Sequence, residues 1–185
     1  LHVHDFFTCE FGQSWLSPIG IQSVQNQSYV VPAEVEYDAK YFATDLYNQC
    51  TQVQPNSLSE VDMSEVPIVE VDKDGEVITG YIFADNYFEL YVNGTLVGVD
   101  SVPFTPFNSS IVRFKVKKPY DIAVKLVDWE ENSGIGSEEN RGNLYHPGDG
   151  GFIASFSDGT KTNHNWYAQT FYTSPILDLN CVKEV

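Results

Sequence analysis

Asp85-Asn86-Tyr87-Phe88-Glu89-Leu90-Tyr91-Val92-Asn93-Gly94 alternates apolar with polar positions and ends in Asn-Gly. Period-two alternation places Phe88, Leu90 and Val92 on one face of a strand, and Asn-Gly supplies the positive φ that a two-residue reversal needs. A strand, a tight turn and a returning strand are therefore expected here. Asp74-Gly75 and Asp158-Gly159 also sit between β-rich runs, so three hairpins are the minimum expectation.

Outward from this stretch the same period persists. Val69 and Val71, then Val77, Tyr81 and Phe83, alternate or nearly alternate with polar residues from Val66 onward. Further β-rich runs follow at Ile111–Val116, Ile122–Trp129, Gly151–Ser157, Gln169–Tyr172 and Ile176–Leu179. Short strands at this spacing predict an antiparallel β-sandwich over residues 66–185. Between them, Glu130 to Gly150 is rich in Gly, Asn, Ser and Glu and reads as a long loop.

Residues 1–65 are patterned differently and are expected to form an N-terminal extension. Val35, Ala39, Phe42, Leu46 and Cys50 recur at helical spacing behind Pro32, which predicts one helix near 33–50. Ser57-Leu58-Ser59-Glu60 has capping-box spacing and predicts a further short turn before Pro67.

The stretch 85–94 resembles the hairpin of the galactose-binding-domain-like β-sandwiches, an Asp and an aromatic pair followed by Leu-Tyr-Val-Asn-Gly. Ile122-Ala123-Val124-Lys125-Leu126 resembles that family's next inner strand. Gly150-Gly151-Phe152-Ile153-Ala154, Ser157-Asp158-Gly159-Thr160 and Asn165-Trp166 resemble its closing strand, turn and Trp. The likeness spans roughly 66–181. It implies a mainly β, antiparallel jelly-roll fold used as a carbohydrate-binding or accessory module, frequently with structural calcium and seldom as a catalyst. Fold analogy does not carry function, and no sugar-binding loop residue transfers one by one.

Composition narrows the partners. Asp and Glu number 26 against 10 Lys and Arg, a formal charge of −16, which disfavours nucleic acid and anionic membranes. No apolar run approaches the roughly 18–20 residues of a membrane helix, so no membrane insertion is expected. With 26 aromatics and one Met, the 185 residues can bury a β-type core. Sequons at Asn26, Asn93 and Asn108, and the wide spacing of Cys9, Cys50 and Cys181, point to a secreted glycoprotein. Cys181 is expected to be bonded, with Cys9 the preferred partner and Cys50 the runner-up, because sandwich termini often lie close together.

The densest acidic feature gathers Asp128, Glu130, Glu131, Glu138, Glu139 and Asp149, with Arg141 the one opposite charge. A Gly-containing loop with so many carboxylates suits calcium, which takes six to eight oxygens; the alternative is a solvated acidic loop. Asp72-Lys73-Asp74-Gly75 begins like an EF-hand loop but does not complete its spacing, so a plain turn is preferred. His2 and His4 share a face if extended and would chelate copper or zinc only with His146 or His164 nearby; a frayed terminus is preferred. No Gly-x-Ser-x-Gly elbow is present, and nothing marks a carboxylate pair for glycoside cleavage.

For sugar, an exposed ring stacks on pyranose C–H groups while polar neighbours fix the hydroxyls. Trp129, Tyr145, Trp166 and Tyr167 flank loops, with Asn140 and Arg141 as polar partners. For each ring a core position is the competing role, for Trp166 most of all. The expectation is a secreted, non-catalytic binding module for glycan or a glycosylated surface. A structural or assembly subunit of an extracellular complex, oligomeric and docking other proteins, is the alternative, and a metal-binding protein or glycan-active enzyme ranks third.

Overall fold

The computed structural model describes residues 16–24, 27–34, 37–48, 52–85, 87–101, 108–127, 138–140, 143–145 and 150–169. Among them lie twelve strands and two 3-10 turns. β1 (Leu16–Val24) and β2 (Gln27–Glu34) form an antiparallel ladder, as do β10 (Glu138–Asn140) and β11 (Asn143–Tyr145).

Two larger sheets form the body. One runs in the order β12 (Gly151–Phe156), β5 (Glu76–Asp85), β8 (Asn108–Val116) and β3 (Thr44–Asn48). β3 pairs antiparallel with the first part of β8, and β4 (Ile68–Glu70) pairs parallel with its second part. The other sheet places β6 (Tyr87–Val92) between β7 (Thr95–Val99) and β9 (Ile122–Val127), all antiparallel. The fold is thus mainly β and almost wholly antiparallel.

Both sheets contribute to one core, an arrangement consistent with a β-sandwich. Ile78, Ile82 and Ala84 of β5, Val112, Phe114 and Val116 of β8, and Ala154 and Phe156 of β12 cluster with Phe88, Leu90 and Val92 of β6 and Val97 of β7. Each set steps by two, or by four across Gly80 in β5, as a half-buried strand requires. β5 carries apolar residues on both faces, and the face turned to the core is that of Ile78 and Ile82, not that of Val77, Tyr81 and Phe83. Phe114 anchors the centre, its ring edge-on to Phe156 at 6.1 Å and to Tyr120 at 5.8 Å.

The Asn93-Gly94 reversal forms as expected, with φ of 50° and 76° between β6 and β7. The Asp158-Gly159 turn also forms: Gly159 has φ 94°, and the chain folds back so that Phe156 N donates to Thr160 O. Asp74-Gly75 differs. β4 and β5 lie on opposite sides of β8, so this turn carries the chain across the end of β8 instead of closing a hairpin. Gly75 passes so near Val116 that a Cβ would meet its backbone at 2.4 Å.

The helix expected near 33–50 is not what the described residues form. Ala33 and Glu34 end β2, Ala39–Tyr41 make one 3-10 turn, and Thr44–Asn48 are β3. The 3-10 turn lacks a side-chain cap at Asp38, whereas backbone pairing draws the segment into the sheets. Ala43 N donates to Val99 O at 2.9 Å, and Thr44 to Asn48 pair with Ile111 to Asn108. Tyr41, Phe42, Thr44 and Tyr47 favour extended backbone, and tertiary pairing overrides a chance helical spacing. The turn after Pro55 does form as Leu58–Glu60, but Glu60 Oε2 accepts from Asn56 N rather than completing a box with Ser57. Among the described residues no helix is long and apolar enough to cross a membrane.

Candidate functional site

An open depression of about 600 Å³ lies where the β8–β9 connection meets the turn after β12. Lys118, Pro119, Tyr120, Asp121 and Ile122 line it from one side, and Asp158, Thr160 and Trp166 from the other.

Its walls are set by the core behind them. Tyr120 stands edge-on against the fully buried Phe114, and Trp166 leans on Phe152 with ring centroids 6.3 Å apart. The indole Nε1 donates to Lys161 O at 3.2 Å, and Trp166 N donates to Asn163 O. Thr162 N in turn donates to Ala154 O, which ties this return segment to β12. Both rings are therefore held before any ligand arrives.

Asp158 organises the polar side. Its side chain is 7% exposed, and its Oδ1 accepts from Thr160 N at 3.0 Å while Oδ2 accepts from the Tyr120 hydroxyl at 2.8 Å. Lys118 Nζ lies 3.5 Å from the same Oδ2 and 3.7 Å from Glu76 Oε2. Burial by itself would push the Asp158 carboxyl up. The Thr160 N–H, the Tyr120 and Thr160 hydroxyls and the Lys118 charge outweigh it and hold the carboxyl below the usual range. Burial, reinforced by the bond to Asp158, pushes the Tyr120 phenol up to about 12. The Asp158 carboxylate is thus held ionised and in place, with lone pairs left over that can accept from a ligand's hydroxyl.

Asp121 is positioned by the β6–β7 turn of its own sheet. Its N donates to Asn93 Oδ1 and its O accepts from Asn93 N, both at 3.0 Å, so the β6–β7 reversal fixes the backbone that leads into β9.

A second polar cluster sits on the other face of β6. Glu89, 3% exposed, accepts at Oε1 from the hydroxyls of Tyr37 and Tyr87, both at 3.1 Å, and at Oε2 from Tyr91 at 2.6 Å. Lys125 Nζ, on the paired residue of β9, lies 3.6 Å from Oε1. These groups satisfy one another, and the bond from Tyr37 ties the segment before β3 to the second sheet.

Of the residues singled out from sequence, Tyr167 is fully exposed and directly follows Trp166 at the depression. Trp166 is half-buried, so it both packs on the core and lines the site. Asn93 is exposed at its turn, and Asn108 opens β8 opposite Asn48. Trp129, Arg141, Asp128, Glu130, Glu131, Asp149, Cys9, Cys50, Cys181 and Asn26 lie outside the described residues. For Asn140, Tyr145, Glu138 and Glu139 the described part is the backbone ladder of β10 and β11. Among the described residues no group of three or more His, Cys, Asp or Glu is gathered as a metal site. Sequence reasoning missed Lys118, Tyr120, Asp121, Asp158 and Thr160 as site residues. The available signal was Lys-Lys-Pro-Tyr-Asp between two β runs, a polar connection with an aromatic in it.

Comparison of the chain with protein-family models, curated proteins and solved structures found no match.

Proposed function

We propose that the chain is a secreted, non-catalytic glycan-binding module, built as a jelly-roll β-sandwich of galactose-binding-domain-like type, with its sugar site in the depression at Tyr120, Asp158 and Trp166. One observation carries this. An open hollow of about 600 Å³ combines two braced aromatic rings with a fixed hydroxyl–carboxylate–ammonium set. Sugars bury C–H faces on rings and spend hydroxyls on fixed polar groups, and shallow sites of this composition suit them. Tyr167, fully exposed and next after Trp166 in the chain, is the second candidate stacking ring.

The test is a glycan array followed by calorimetric titration of the best binder. Binding should weaken at least about tenfold in Trp166→Ala, the loss expected when a stacked ring worth about 1.4 kcal/mol is removed. Tyr167→Ala, at a residue with no core role, should weaken it less without changing the melting temperature. An empty array, with the chain sedimenting as an oligomer, would turn the reading to an assembly subunit.

A further inference from the structure

The charge of the depression narrows its ligand, and we infer that it prefers glycans bearing a protonated amine to neutral ones and rejects glycans bearing carboxylate or sulfate, an inference that rests on the glycan reading above. Three charged residues line the hollow: Lys118, Asp121 and Asp158. Lys118, the one cation among them, is shared between Asp158 at 3.5 Å and Glu76 at 3.7 Å. Asp158 is already engaged, since Thr160 N and the Tyr120 hydroxyl each bond one of its oxygens and Lys118 lies beside it.

Asp121 is the exception. Asn93 locks its backbone at both N and O, yet among the described residues its carboxylate has no hydrogen bond or ion pair. The residue is exposed and lines the same hollow as Tyr120, which precedes it in the chain. The lining therefore presents one uncompensated negative charge on a backbone held in place, on a molecule of net charge −16. An anionic sugar would have to draw Lys118 from two carboxylates while facing Asp121. A protonated amine would instead pair with Asp121, where the charge favours it. Because Asp121 is exposed, the preference is modest and salt-sensitive, on the order of two- to fivefold in affinity at low ionic strength.

The experiment is calorimetric titration of the full chain with glucosamine and galactosamine oligosaccharides in matched free-amine, N-acetyl and N-sulfo forms, at about pH 6, where the amines are protonated. Affinity should fall in the order amine, acetyl, sulfo. The gap between amine and acetyl should close in Asp121→Asn and shrink in about 0.5 M salt. N-sulfo forms binding as tightly as the others, or an amine preference that survives Asp121→Asn, overturns the inference while leaving a glycan site standing. No binding to any of the six probes, or binding indifferent to both Trp166→Ala and Tyr167→Ala, overturns the glycan reading beneath it.

Discussion

At Asp158 a single carboxylate joins the Tyr120 hydroxyl, the Thr160 amide and Lys118, so its removal unfastens both sides of the depression. Asp158→Asn should lower unfolding free energy in urea by about 1–3 kcal/mol at neutral pH, the usual cost of leaving such partners unsatisfied. The pH dependence has a definite sign. A carboxyl held below its unfolded value of about 3.9 contributes stability above that pH, lost as pH falls through the folded value. Wild type should therefore lose part of its advantage over Asp158→Asn on acidification below about pH 4. The Tyr120 phenol works at the other end. Raised to about 12 by burial first and Asp158 second, it contributes stability that is intact below about pH 10 and declines between there and 12. Burial likewise raises Tyr37, Tyr87 and Tyr91. Ultraviolet titration should thus show at least four of the 11 tyrosines ionising late, and Tyr120→Phe should remove one of them.

Among the elements, β6 has the most demanding pattern, with apolar Phe88, Leu90 and Val92 on the core face and Tyr87, Glu89 and Tyr91 on the other. Glu89→Leu leaves three hydroxyls and Lys125 without their acceptor, so urea denaturation should show a loss of about 3 kcal/mol or more. Glu89→Gln keeps a carbonyl acceptor and should cost less; equal costs for the two would mean that size, not hydrogen bonding, matters there. The β6–β7 hairpin was legible in sequence because its alternation and its Asn-Gly turn are both local signals. β3 was not, because its partner β8 lies some sixty residues away and its apolar spacing imitates a helix face. The Asp74-Gly75 turn was legible as a turn, but nothing local says that the chain crosses β8 there. The same limit applies to the site. Trp166 stood out as a ring near a loop, whereas Tyr120 and Asp158 meet only after the sheets assemble.

Over the whole molecule, one core of interleaved Phe, Ile and Val side chains holds two sheets together beneath a strongly acidic surface. Phe114→Ala removes the ring that backs Tyr120 and touches Phe156, and should cost about 3–5 kcal/mol. With a net charge of −16, the folded chain repels itself at low ionic strength, and screening shortens that repulsion to about 8 Å at 0.15 M. Melting temperature should therefore rise as salt is added from near zero. The proposed sugar site lies at the junction of the β8–β9 connection and the turn after β12. The most direct measurement is a backbone NMR titration with the tightest glycan from the array. Shifts concentrated at residues 118–122, 158–160 and 166–167 are the expected result; no shifts, or shifts confined to other parts of the chain such as 128–141, would contradict it.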